Sequence, residues 1–230
     1  MHRILDQFGR PYKKVKSPER RPLAVAPYLD SWREYVTAGL TPQRLAAMFV
    51  SADAGDVRLQ AELFEQIEER DGHLIGEAGK RKNVILDVDF TVTPATDDAR
   101  DAKVADFVRE YIDGASDWPD TLVSLQDAVG KGYSALEIGW DVSEGQALPL
   151  SFEFIEQKRF LFTEPSGFVR KTPLLLSDEN PMGDEIPAWK MLFHRYGGKS
   201  GHPTRSGIYR VCAWWFLFKN YAIKDWVTFC

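Results

Sequence analysis

The hydrophobic positions change period several times along the chain, and each change marks an element. Thr41-Pro42 supplies an N-cap followed by Pro at the first helical place, with Leu45, Ala46 and Phe49 forming a short apolar face behind it. Between residues 55 and 70, Val57, Ala61, Phe64 and Ile67 fall on one stripe and Glu62, Glu65, Glu68 and Glu69 lie largely outside it. That spacing predicts an amphipathic helix, ended at Asp71-Gly72. Gly76 and Gly79 weaken a helical continuation through residue 82, each by about 1 kcal/mol relative to Ala. Residues 84–93 then alternate: Val84, Leu86, Val88, Phe90 and Val92 face away from Ile85, Asp87, Asp89, Thr91 and Thr93, the cleanest strand pattern in the chain. Thr96-Asp97-Asp98 opens a helix carrying Val104, Phe107, Val108, Tyr111 and Ile112. A further helix is predicted from about 119 to 131, with Leu122, Leu125 and Val129 on its face.

The second half turns to strands. In the stretch GYSALEIGW (132–140), Leu136, Ile138 and Trp140 alternate with Ala135, Glu137 and Gly139, which predicts an amphipathic strand. Leu150, Phe152 and Phe154 mark another, and shorter β segments are expected at 160–162, 168–171 and 189–193 around a Pro- and Gly-containing loop at 178–187. Residues 203–230 predict a helix of unusual character. Ile208, Val211, Cys212, Trp215, Phe218, Ala222 and Trp226 make one stripe, while Trp214, Leu217, Tyr221 and Phe229 cover much of the other side. A helix apolar almost all round is expected to be enclosed on several sides. Its pattern meets no Gly, Asn or Pro stop signal, so the expectation is a fragment or an interrupted gene. The fold class is α+β: mixed helices and antiparallel strands, then a long apolar helix at the C-terminus.

Composition adjusts this picture in three places. Of 230 residues 44% are hydrophobic and 27% charged, an ordinary globular balance, but 13% are aromatic, seven of them Trp, and the aromatic surplus is concentrated late in the chain. Such side chains serve cores and interface anchors alike. The net charge of −5 argues against a general nucleic-acid coat, which needs a Lys/Arg surplus to displace counterions. Charge is uneven, however. Arg3, Arg10, Lys13, Lys14, Lys16, Arg20 and Arg21 face only Asp6 and Glu19 in the first 22 residues, and four prolines lie in the first forty. An extended arm over 1–39 is expected, either solvated or a candidate phosphate- or partner-contacting arm through Lys13, Lys14, Lys16, Arg20 and Arg21. Cys212 and Cys230 have no metal spacing, the start has no apolar signal region, and the longest apolar run, 211–218, is too short to span a bilayer. A soluble protein made in a reducing cytoplasm is the expectation.

Enzyme signatures do not survive weighing. Gly197-Gly198-Lys199-Ser200 pairs Gly with Lys-Ser but lacks the earlier Gly of a phosphate loop, and Pro203 breaks the helix that should follow. His2, His73, His194 and His202 are scattered without ligand spacing. Asp87 and Asp89 share a polar strand face, and Asp97, Asp98 and Asp101 sit where acidic groups favour a helix start. Ser134 lies in Gly-Tyr-Ser-Ala-Leu, where Leu136 replaces the closing Gly of a nucleophile elbow. The sequence names no catalytic residue, no metal site and no cofactor.

Three stretches carry a resemblance: LTPQRLAAMFVSADAGDVRLQAELFEQIEERDGHL (40–74), GYSALEIGW, and SGHPTRSGIYRVCAWWFLFKNYAIKDWVTFC (200–230). In this order they resemble the Mu-like phage and prophage portal family, and the Trp-Trp-Phe-Leu-Phe-Lys-Asn-Tyr block is the most specific part. The resemblance covers the chain, about half a family member's length, and implies its amino-terminal part. It implies a non-enzymatic subunit of a ring, a dodecamer by analogy, at one vertex of the virion, formed in the host cytoplasm during assembly. Its partners are other copies of itself, terminase, head and tail proteins, and double-stranded DNA passing transiently through the channel, with no membrane. By the same analogy residues 40–155 are an α/β wing-like domain, 156–202 a β-rich clip-proximal region, and 203–230 a stem-like helix. Trp214, Trp215, Phe218, Tyr221 and Trp226 are then the candidates for oligomer interface or core. The alternatives are another virion or scaffold-binding structural protein, or a truncated prophage remnant without function.

Overall fold

The computed structural model describes residues 22–23, 35–142, 147–163, 169–197 and 203–229. Its first body is helical. Helix α1 (Pro42–Asp53) opens as its sequence dictates: Thr41 Oγ1 accepts the Arg44 amide at 3.2 Å, and Pro42 occupies the first turn, where its missing N–H has no intrahelical partner to lose. Helix α2 (Arg58–Arg70) follows after a turn at Gly55, whose φ of +102° suits a residue without a Cβ. Space adds to that requirement, since a Cβ there would lie 2.5 Å from Thr163 Oγ1. The two helices bury Leu45, Met48, Phe49, Leu63, Phe64 and Ile67 against Tyr209, Ala213, Phe216 and Leu217.

Helix α3 (Gly72–Asn83) forms in spite of Gly76 and Gly79. Asp71 caps it, one carboxylate oxygen accepting the amides of His73 and Leu74, and the helix docks through Ala78 and Leu74. Capping is worth about 1 kcal/mol and docking adds to it, enough to offset the two glycines.

The strand predicted at 84–93 is absent. Residues Val84–Asp87 make one turn of 3₁₀ helix, and residues 88–94 run on without a ladder partner. Alternation assigns side chains to faces, but a strand also needs a neighbouring backbone, and the described residues offer none here. Val84, Leu86, Val88 and Phe90 are consequently exposed. Helix α4 (Ala99–Gly114), capped by Asp98, shows the same thing: only Ala105 is buried, and Val104, Phe107 and Val108 face outward. The helix predicted at 119–131 divides into α5 (Trp118–Leu125) and α6 (Asp127–Lys131) at Gln126.

Gly132, at φ +100°, ends α6 and launches the central strand β1 (Tyr133–Asp141). It pairs antiparallel with β2 (Leu148–Ile155) on one side and with β6 (Met191–Arg195) on the other. The first five residues of β1 are buried on both faces rather than on one. Tyr133 and Ala135 join Ile155, Phe160, Phe162 and Leu175 in a second core, while the Ser134 hydroxyl donates to the Ser124 carbonyl of α5 at 2.8 Å. A smaller antiparallel sheet runs in the order β3 (Phe160–Thr163), β4 (Val169–Leu175), β5 (Asp184–Glu185). The two bodies are stitched at Gly55, whose carbonyl accepts the Phe162 amide at 2.9 Å.

The last helix, α7 (Tyr209–Phe229), begins six residues later than its pattern suggested, after a 3₁₀ turn at Pro203–Arg205. Its buried face is Tyr209, Ala213, Phe216 and Leu217, not the stripe that periodicity selected.

Candidate assembly surface

Helix α7 is held firmly at its first half only. Tyr209 packs edge-on against Phe64 with ring centroids 5.9 Å apart, and Gly130 admits it: a Cβ at Gly130 would come within 2.5 Å of the Tyr209 ring. Arg210 pairs with Asp53 at 2.7 Å and lies 4.5 Å from the Phe49 ring centroid, a cation–π arrangement. Trp214, half-buried, meets Phe49 in an edge contact at 6.3 Å. One turn on, Lys219 reaches Asp71 at 3.0 Å and the Tyr221 hydroxyl donates to the Leu40 carbonyl at 3.3 Å.

Past these ties the helix leaves the body. Every residue from Ala222 to Phe229 is exposed, a length of about 12 Å at the helical rise. The exposed side chains are large and apolar: Trp215 at 70%, Trp226 at 69%, with Phe218, Ile223, Val227 and Phe229. Among the five residues singled out from sequence, the structure therefore places Trp214 at the edge of the first core. Trp215, Phe218, Tyr221 and Trp226 lie on the projecting surface. Contiguous exposed apolar area of this kind is uncommon on the surface of a single folded chain. Val84, Leu86, Val88 and Phe90, and on α4 Val104, Phe107 and Val108, are exposed as well. Helix α4 is tied down by Arg109, which donates to the Val92 carbonyl at 2.8 Å, and by Tyr111, whose hydroxyl donates to the Pro149 carbonyl at 2.9 Å.

The scaffold behind α7 is ionic. Lys131, only 4% exposed, sits among Asp127 (2.9 Å), Glu65 and Glu68, and Lys82 bridges Asp127 (2.7 Å) to Glu68 (2.8 Å). Gln157 completes the shell, donating to Asp127 at 2.6 Å. Burial pushes the Asp127 pKa up, but Lys131 and Lys82 outweigh it and hold the carboxyl below its usual range. For Lys131 burial works downward and is overcome by Asp127 and Glu65, so its pKa stands above the usual value; Lys82 is likewise raised, against burial, by Asp127 and Glu68. A second buried pair, Lys190 and Glu137 at 3.0 Å, lies on the central sheet, and Glu137 also accepts the Leu23 amide at 2.6 Å. Sequence reading found neither pair, because nothing in the local pattern of Lys131, Glu137 or Lys190 tells a buried charge from a solvated one.

Other candidates resolve plainly. Lys13, Lys14, Lys16, Arg20 and Arg21 lie outside the described residues, as do Gly198, Lys199 and Ser200. Asp87 and Asp89 are exposed, and Ser134 is occupied with its bond to Ser124. Among the described residues no three His, Cys, Asp or Glu side chains group to hold a metal ion, and no helix is long and apolar enough to cross a membrane.

The described residues form an α+β body from which the exposed outer half of α7 projects. The family model described as the portal protein of Mu bacteriophage matches residues 61–230, and the chain belongs to that family. It is 32% identical over its whole length to the portal protein of Escherichia phage Mu. It is 30% identical, over 99% of its length, to the Mu-like prophage FluMu protein gp29 of Haemophilus influenzae. The chain spans 44% of the length of each of these two relatives.

Proposed function

We propose that this chain is a structural, non-enzymatic subunit of the portal ring of a Mu-like tailed phage or prophage. The ring forms the channel for DNA packaging and ejection and connects head to tail. The observation that carries the reading is the outer half of α7, which presents Trp215, Phe218, Trp226 and Phe229 to solvent in a chain that belongs to the Mu portal family. A single copy leaves this surface wet; neighbouring copies around a ring would cover it. Residues 203–230 then act as the stem-like helix, 40–155 as a wing-like domain, 156–202 as a clip-proximal region and 1–39 as the arm. The partners are further copies of the chain, twelve by family analogy, together with terminase, head and tail proteins and the DNA in transit. The place is the portal vertex of the virion, reached from the host cytoplasm during assembly. A channel that lets DNA slide should not neutralise phosphates strongly, and the net charge of −5 agrees with that.

The test is particle imaging with mass photometry on the protein at its full natural length. Closed rings of one defined stoichiometry are expected. A full-length protein that stays monomeric at micromolar concentration overturns the reading. Capsid association without any effect on DNA packaging would favour a different virion component.

A further inference from the structure

Trp189 is held in a strained backbone conformation. Its φ is +65°, in the left-handed region that is unfavourable for any residue with a Cβ, and its side chain is 68% exposed, so packing of the ring does not offset the strain. It occupies the third place of the turn 187–190, closed by the Lys190 amide donating to the Pro187 carbonyl at 3.3 Å, where Gly is the usual choice for positive φ. Such strain persists only where the surroundings over-determine it. Three contacts with β1 do so here. The Trp140 indole N–H donates to the Trp189 carbonyl at 2.6 Å, and the Ile138 amide donates to the Lys190 carbonyl at 2.9 Å. The Lys190 ammonium, 2% exposed, pairs with Glu137 at 3.0 Å.

The third contact is shared with a distant part of the chain. Glu137 is 3% exposed, and the same carboxylate oxygen that meets Lys190 accepts the Leu23 amide at 2.6 Å. Leu23 is half-buried and packs against the second core. It is also joined directly to residues 1–22, which hold the basic surplus of the sequence. A buried ion pair is favourable only while its other polar sites are bonded and water is kept away. Leu23 does both for Glu137.

We propose that Glu137 is a clasp coupling the attachment of Leu23 to the shape of the Trp189 turn. While Leu23 is fastened, the pair stays dry and Lys190 holds the turn in its left-handed form, with the Trp189 ring outward. When Leu23 lets go, water reaches the carboxylate, the local dielectric rises and the attraction for Lys190 falls. The turn is then no longer over-determined and relaxes. A load on the basic segment thereby changes an exposed aromatic side chain. The device works within one copy and does not depend on ring formation.

Leu23→Pro removes the amide donor and leaves Glu137 and Lys190 in place. The indole N–H of Trp140, followed by NMR, should then exchange with deuterium about tenfold faster, the scale set by one left-handed residue. The indole N–H of Trp118, buried and outside the clasp, should keep its rate. In a Trp189→Gly background the Leu23→Pro change should leave Trp140 exchange as it was, because glycine takes positive φ without strain. Trp189→Gly alone should slow exchange of the Leu23 amide by a similar factor, since coupling is reciprocal. Unchanged Trp140 exchange in Leu23→Pro overturns the proposal. So does an acceleration shared by Trp118, one that persists in the Trp189→Gly background, or a Leu23 amide indifferent to Trp189→Gly.

Discussion

At the scale of single residues, the fold depends on a few charges buried where their partners are close. Lys131 is the clearest: its ammonium answers Asp127, Glu65 and Glu68 and joins α6 to α2. Removing one member of a buried pair leaves the other charge desolvated, and Lys131→Met should therefore destabilise the protein by about 3 kcal/mol or more, read from urea melts. An unchanged midpoint would mean that Lys82 alone satisfies Asp127. The pH dependence has a defined sign on each side. Asp127 has a depressed folded pKa, so its contribution is present above the unfolded value of about 3.9 and is lost as pH falls through the folded one. Lys131 and Lys82 are raised, as are Tyr133 and Tyr209, the tyrosines chiefly by burial. Their contributions are complete below the unfolded values near about 10 and decline as pH rises beyond. Four groups of one sign predict a steep alkaline loss of stability, starting near pH 10. A flat melting temperature between pH 9 and 11 would contradict it.

At the scale of elements, α7 shows both the reach and the limit of periodicity. The helix itself was legible in the sequence. Which side is buried was not: the stripe through Val211, Trp215, Phe218 and Trp226 is the better apolar pattern, yet the body takes Tyr209, Ala213, Phe216 and Leu217. Gly130 bears on the choice, since the absence of a Cβ there makes room for the Tyr209 ring, and periodicity does not weigh that. The consequence is measurable. Phe216→Ala should cost about 3–5 kcal/mol, the range for a buried aromatic, whereas Trp215→Ala should cost less than about 1 kcal/mol as a surface change. Equal losses in thermal melts would place Trp215 in the core after all. Residues 84–93 repeat the lesson from the other side. Their alternation was correct as a pattern of faces, but no partner strand lies among the described residues, and pattern alone does not reveal that. Amides 89–93 should accordingly exchange with deuterium within seconds in the isolated chain; protection there would show a ladder formed with another copy. The ion pairs were invisible for a different reason: burial of Lys131 and Glu137 arises from tertiary packing of α2, α6, β1 and β6, and no local signal announces it.

At the scale of the whole molecule, charge and shape have to serve one task. The body is acidic and the surplus of basic groups is confined to the first 22 residues, outside the described residues. If the portal reading holds, DNA meets a channel that repels or ignores it, and any grip comes from the arm. That separation makes a quantitative forecast about salt. Each phosphate neutralised on duplex DNA contributes about −0.9 to the slope of log K against log salt concentration. An arm contacting phosphates through Lys13, Lys14, Lys16, Arg20 and Arg21 therefore limits the slope to about −4.5. Replacing those five residues by Ala should abolish duplex binding measured by fluorescence anisotropy, while leaving melting temperature and ring formation as they were. A slope much steeper than this, or binding that survives the replacement, would mean that the acidic body holds DNA by a basic surface created only in the assembled ring. The channel would then grip its cargo rather than let it slide.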